Sequence, residues 1–182
     1  MYKLVFSTHL SDPYEIHQQV KGLFTEGRYL YRVDGTTVTT CSGILPQNSV
    51  KGKMSIVKTD YDAGAPLPFR ARCNPTSKID GKNIPYTDSL DASDWFHRQA
   101  EKKGFKVVDL SVIMEGPFWI KKPGQTHPWS ISSVSFEGTL QVVDPVLFGT
   151  MLQAGIGREK CFGFGMMDIY NVTAPVITVK EV

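Results

Sequence analysis

Apolar and polar positions along the chain switch between a period of two and a helical period, and the switches divide it into elements. Lys3-Leu4-Val5-Phe6-Ser7-Thr8 reads as a first strand. Ile16, Val20, Leu23 and Phe24 then mark one helix face, opened by Asp12 as N-cap, Pro13 at the first helical position and Glu15 in capping-box spacing. The helix stops near Gly27. Arg28 to Val33 and Thr36 to Cys41 form a hairpin around the turn Asp34-Gly35. Met54 to Tyr61 reads as a strand or a short helix, and Gly64-Ala65-Pro66 as loop. Leu67 to Pro75 alternates like a strand, and Ile79 to Tyr86 is a polar connector with a turn at Asp80-Gly81. Leu90 to Lys103 is an amphipathic helix with Trp95 and Phe96 on its inner side, ended by Gly104. Phe105 to Met114 is a strand. Phe118 to Lys122 and Trp129 to Ser133 pair across a loop, and Val134 to Val143 is a further strand interrupted by Gly138. A helix near Pro145 to Gln153, a glycine-rich loop and a strand over Phe164 to Tyr170 follow.

The order strand, helix, strands recurs in both halves. It predicts an α+β fold of two tandem ferredoxin-like (βαββαβ) domains, each an antiparallel sheet with helices on one face. Residues 1–80 form the first domain and 81–182 the second, joined between about residues 74 and 88. No sequence repeat links the halves; element order alone carries this reading.

Composition narrows the function only a little. A chain of 182 residues that is 41% hydrophobic has material for an ordinary core. The net charge is only +2, so a partner such as nucleic acid requires the cations to gather in one patch. Cys41, Cys73 and Cys161 are distant and odd in number, which excludes a closed disulfide framework and fits a reducing cytoplasm. The start of the chain is too short and polar for a signal peptide, and no run reaches the roughly 18 apolar residues of a membrane span. Histidines are scattered and no acidic cluster has ligand spacing, so no metal and no cofactor is expected.

Candidate chemistry gathers at four places. The stretch Gly155-Ile156-Gly157-Arg158-Glu159-Lys160-Cys161-Phe162-Gly163-Phe164-Gly165 joins a helix to a strand and holds two cations between its glycines. Glycines permit positive φ and a close backbone approach, so the loop reads either as an anion-binding concavity reinforced by Arg158 and Lys160 or as a cap with packing glycines. Tyr14 and His17, three apart, share a face at the start of the first helix, where the dipole attracts phosphate and favours neutral imidazole. They read as an acid–base pair, with Lys21 one turn on, or as a surface histidine beside a packed tyrosine. Arg70 and Arg72 lie on one side of their strand, either lining a groove for an acidic partner or simply solvated. Lys121 and Lys122 sit at a hairpin flanked by Trp119 and Trp129.

Three segments, in this order, resemble the CRISPR-associated precursor-RNA endoribonucleases of the CasE type. They are Asp12-Pro13-Tyr14-Glu15-Ile16-His17 followed by Arg28-Tyr29-Leu30-Tyr31-Arg32; Phe69-Arg70-Ala71-Arg72-Cys73-Asn74-Pro75; and Phe136 to Leu140 with Asp144-Pro145, running into the glycine-rich stretch from Gly155 to Gly165. The resemblance spans about Leu4 to Asp168. It implies two tandem ferredoxin-like domains and a metal-independent cut beside a CRISPR repeat RNA hairpin, in precursor or mature guide RNA. It also implies further subunits of a CRISPR effector complex as partners, and no membrane. By this resemblance His17 is the catalytic histidine and Tyr14 its partner, with Lys21 a candidate for charge stabilisation. Arg28, Arg32, Arg70, Arg72, Lys121, Lys122, Gly155, Gly157, Arg158 and Lys160 are the expected RNA-binding residues. The chain is shorter than the family leads one to expect, and the trimmed parts fall at the second helix of the first half and the connector after Asn74. A non-catalytic RNA-binding subunit of the same complexes, and an unrelated ferredoxin-like domain that binds a nucleotide at the glycine loop, are the competing readings.

Overall fold

A computed structural model describes residues 1–170 of the chain. Over these residues the protein is α+β, with antiparallel sheets and three α-helices. Strand β1 (Tyr2–Ser7) leads to helix α1 (Pro13–Leu23), then to the hairpin β2 (Tyr29–Asp34) and β3 (Thr37–Ser42), and to β4 (Gly52–Ile56). These strands form one sheet in the order β2-β3-β1-β4. Residues 43–51, which link β3 to β4, contain no helix, so the second helix of a βαββαβ pattern is absent from this half. Met54 lies in a strand, which resolves the ambiguous segment, although β4 ends at Ile56.

Strand β5 (Pro66–Cys73) opens the second part, followed by β6 (Thr76–Ile79), β7 (Lys82–Pro85), helix α2 (Ser89–Lys102), β8 (Phe105–Ile120), β9 (Trp129–Val142), helix α3 (Pro145–Ala154) and β10 (Met167–Ile169). The second sheet runs β10-β5-β9-β8, and β6 with β7 is a separate hairpin. The expected division at residue 80 groups β5 with the first half, yet β5 hydrogen-bonds to β9 and β10. The sheets therefore part between Ile56 and Pro66. The expected polar connector is the β6–β7 hairpin, turned by Asp80 and Gly81, both at positive φ.

Two long strands replace the four short ones expected between Phe105 and Val143. Bulges at Val107/Asp109 and Met114/Gly116 carry β8 past its irregular points. Gly138 does not interrupt β9. Its φ of 156° and its closeness to the Asp109 carbonyl leave no room for a side chain opposite the first bulge.

Burial explains the layers. Leu4, Phe6, Tyr31 and Val38 cover one face of the first sheet and pack on Ile16, Val20 and Leu23 of α1. Leu67, Phe69, Ala71 and Cys73 of β5 face α2 and α3, where Phe96 stacks on Phe69 and on Phe136 of β9 at centroid distances of 5.5 and 4.4 Å. The opposite faces of the two sheets turn toward each other. Leu30, Cys41 and Met166 supply an apolar patch there. Beside it Asp168 of β10 binds Lys3 at 2.9 Å and Arg32 at 3.3 Å. Among the described residues no helix is long and apolar enough to cross a membrane.

Candidate functional site

Helix α1 places the first two site residues. The Asp12 carboxylate accepts from the backbone N–H groups of Tyr14 and Glu15 and fixes the first turn. Tyr14 and His17 then project together, ring centroids 6.2 Å apart. The glycine loop meets them from the other half of the chain. Its residues Lys160–Phe162 form a single 3-10 turn, and Phe162 lies 5.4 Å from the His17 ring. The Tyr31 hydroxyl, at 2.8 Å, donates to the Cys161 carbonyl and ties this turn to β2. The β8–β9 hairpin closes the third side. Trp129 meets Phe162 edge-on at 5.8 Å, and the Lys122 ammonium sits 5.3 Å from the Trp129 ring.

His17 is half-buried, and its Nδ1 is enclosed without a hydrogen-bond partner among the described residues. Burial pushes its pKa below 6.5; Lys21 and Lys122 push the same way, and the nearby Cys161 carbonyl opposes them. The ring is thus neutral at neutral pH, with two cations beside it. This arrangement can exchange a proton with a hydroxyl or a leaving oxygen while the lysines attract a phosphate. Tyr14, His17, Lys21 and Lys122 are brought together; Lys121 is exposed beside Lys122.

The remaining expected cations divide into two groups. Gly155, Gly157, Arg158 and Lys160 line a cleft on the far side of the loop, and the charge of Arg28 reaches Lys160. Arg32, Arg70 and Arg72 are elsewhere, between the sheets. Arg32 is only 4% exposed and is paired with Asp34 and Asp168. Arg72 pairs with Glu115 at 3.0 Å and donates to the Val33 carbonyl. Arg70, partly exposed, reaches Asp34 and Asp168 at 3.7 and 3.6 Å. Strand alternation places Arg70 and Arg72 on one face, and they line a pocket there with Arg32, facing Asp34 of the other sheet and Glu115 and Glu137 of their own.

The loop glycines answer to packing as well as to openness. A Cβ on Gly165 collides with the Ile156 carbonyl, one on Gly157 comes within 3.1 Å of Trp95, and one on Gly163 within 3.2 Å of Tyr31. Sequence reasoning missed Phe162 and Cys161 as the wall against His17. Phe162 stood in the glycine stretch, but nothing in its spacing announced a partner nearly 150 residues away.

The family model described as CRISPR associated protein matches residues 3–170. The chain is similar to the CRISPR-associated endoribonuclease Cse3 of Thermus thermophilus, at 26% identity over 88% of this chain and 90% of the relative. It is similar to the CRISPR system Cascade subunit CasE of Escherichia coli, at 25% identity over 87% of this chain and 92% of the relative. Among solved structures, Cse3 bound to a 19-nucleotide RNA superposes with a TM-score of 0.80 at 22% identity, covering 92% of this chain and 98% of the other. The crystal structure of Cas6e from Escherichia coli gives 0.77 at 26% identity, covering 93% and 98%. The chain therefore belongs to the CRISPR-associated Cse3/CasE (Cas6e) endoribonuclease family.

Proposed function

We propose that this protein is a metal-independent endoribonuclease that binds the hairpin of a CRISPR repeat and cuts the precursor RNA beside it. The observation that carries this reading is the half-buried His17 packed beside Tyr14 and Phe162, with the charges of Lys21 and Lys122 acting on its ring. RNA contains its own nucleophile. The 2′-hydroxyl attacks the adjacent phosphorus, the bond to the 5′ oxygen breaks, and the products are a 2′,3′-cyclic phosphate and a 5′-hydroxyl. One group takes the 2′ proton and another gives a proton to the leaving oxygen. His17 performs one of these transfers, and Tyr14 positions the ribose or performs the other. Lys21 and Lys122 stabilise the charge on the phosphorane.

The fold supports the same reading. The strand order β2-β3-β1-β4 with α1, and β10-β5-β9-β8 with α2 and α3, suits two tandem ferredoxin-like units, the first without its second helix. The active site then lies where the helix of one unit meets the loop and hairpin of the other. The exposed lysines of the hairpin tip and the cations of the glycine loop hold the stem through its phosphates. The protein keeps its product hairpin and works in the cytoplasm with other subunits of a CRISPR effector complex. A relative that is itself a Cascade subunit supports this last point.

The reading is tested on a synthetic repeat hairpin with flanking sequence, incubated with the protein in the presence of EDTA. The expected result is one cut leaving a cyclic phosphate, blocked by a single 2′-deoxy substitution 5′ to the cut. Cleavage that survives the 2′-deoxy substitution contradicts the proposed chemistry. Binding without any cut leaves the non-catalytic RNA-binding subunit.

A further inference from the structure

On the side of the glycine loop away from His17, a cleft opens between the loop, the end of α2 and the β6–β7 hairpin. Four cations line it: Lys78 from β6, Lys103 just after α2, and Arg158 and Lys160 from the loop. None of the four forms an ion pair with a carboxylate among the described residues. Among the described residues no Asp or Glu lines the cleft, and Glu159, the acidic residue of the loop, is not among its walls. Burial foremost, then the charges of Lys103 and Arg28, depress the pKa of Lys160, whose ammonium donates to the Gly157 carbonyl. A cluster of this kind calls for an anion.

A second observation sets what else the occupant carries. Asn74, 93% buried by its exposure of 7%, lies at the end of β5 and lines the same cleft. Its amide oxygen is enclosed and has no donor among the described residues. A buried acceptor left without a donor is costly, so the occupant should bring one. An anion that carries a hydroxyl donor meets both needs. The remaining lining groups, Thr76, Ser77, Asn83 and Gln99, are neutral and hydrogen-bonding, as a sugar-phosphate edge requires.

We infer that this cleft holds one ribose-phosphate unit of an RNA strand, with Lys78, Lys103, Arg158 and Lys160 around the phosphate and the Asn74 amide oxygen accepting the proton of the 2′-hydroxyl. The inference rests on the RNA-binding part of the proposed function and adds to it a place where ribose is told from deoxyribose, remote from the reacting bond. Lys160 and Cys161 are neighbours in the chain, so the cleft and the His17 site are two stations served by one loop.

The test uses two fluorescent probes of equal length, an oligouridylate and its 2′-deoxy counterpart, which share every base and phosphate. Binding is measured over a range of salt with the wild type, Asn74→Ala and the double variant Lys78→Ala with Lys103→Ala. The wild type is expected to prefer the ribose probe about three- to tenfold, the worth of one hydrogen bond. Asn74→Ala brings the two probes level. The double variant weakens both probes and lowers the salt slope by about 0.7, the value for one lost phosphate contact on a single strand. Because Lys78 is exposed and Lys103 half-exposed, that variant reports on the cleft even where Asn74→Ala disturbs folding. An unchanged preference in a folded Asn74→Ala, or an unchanged slope in the double variant, overturns the inference. Failure to bind oligouridylate while a repeat hairpin binds also overturns it and leaves the nuclease reading standing. Failure to bind either RNA removes both.

Discussion

The His17 imidazole lies 5.4 Å from the Phe162 ring, so a residue of the first helix and a residue of the last loop share one small site. Neither half of the chain builds it alone. The contact depends on the loop being held at its height, which Tyr31 does through its hydrogen bond to the Cys161 carbonyl.

His17→Ala should lower cleavage by about 10²- to 10⁴-fold, the usual worth of positioned acid–base help, while RNA affinity changes little. Single-turnover rates and binding measured on the same preparation check this. A parallel loss of affinity contradicts the assigned role.

The protonation of His17 should reflect its surroundings. Its folded-state pKa is below 6.5, because burial and the charges of Lys21 and Lys122 disfavour the imidazolium. NMR titration of the ring should give a midpoint under 6.5. Lys122→Ala should move the midpoint upward, as removal of a like charge must. For stability the sign runs the same way: the unfolded chain binds the proton more readily, so the contribution of this group is present above 6.5 and fades as pH falls through the folded value.

Asp168 is the carboxylate on which the facing sheets converge. Burial raises its pKa, but Lys3 by charge and hydrogen bond, then Arg32 and Arg70, outweigh burial and hold it below 3.8. Asp168→Asn leaves the buried Arg32 guanidinium with only the half-exposed Asp34 and should destabilise the protein by about 3 kcal/mol at neutral pH. The depressed carboxylate contributes above about pH 3.8 and loses its contribution as pH falls through the folded value. Urea unfolding of the two proteins should therefore differ at neutral pH and converge in acid. A constant difference across that range counts against the ion-pair account.

Gly165 sits at φ 78° with its Cα facing the Ile156 carbonyl. Gly165→Ala adds left-handed backbone strain of about 1–2 kcal/mol to a steric clash. Urea unfolding should show at least that loss. Because the loop carries Phe162 to His17, cleavage should fall at concentrations where the variant remains folded.

Much of this was legible because local signals were strong. Asp12-Pro13 fixed the start of α1, and helical spacing then put Tyr14 and His17 on one face. Asp34-Gly35 fixed the first hairpin. The misreadings share a cause, which is pairing across long distances in the chain. The alternation of β5 correctly separated Phe69 from Arg70, but it held no information on which sheet β5 joins or that Asp34 and Asp168 stand opposite the arginines. The local pattern ends one strand at Met114 and interrupts another at Gly138, whereas bulges at Val107/Asp109 and Met114/Gly116 let β8 and β9 continue. Lys122 is expected from the sequence as an RNA-binding hairpin lysine, and only the folded hairpin brings its charge to His17.

The central claim, that His17 drives a cut in repeat RNA, is tested most directly on RNA that purifies with the protein from its host. Those RNAs are sequenced and their 3′ ends assayed for a cyclic phosphate, with wild type and His17→Ala compared. The account predicts uniform repeat-derived RNAs ending at the base of one hairpin with a cyclic phosphate, and loss of that end in the variant. Identical trimmed RNAs from both proteins would contradict it.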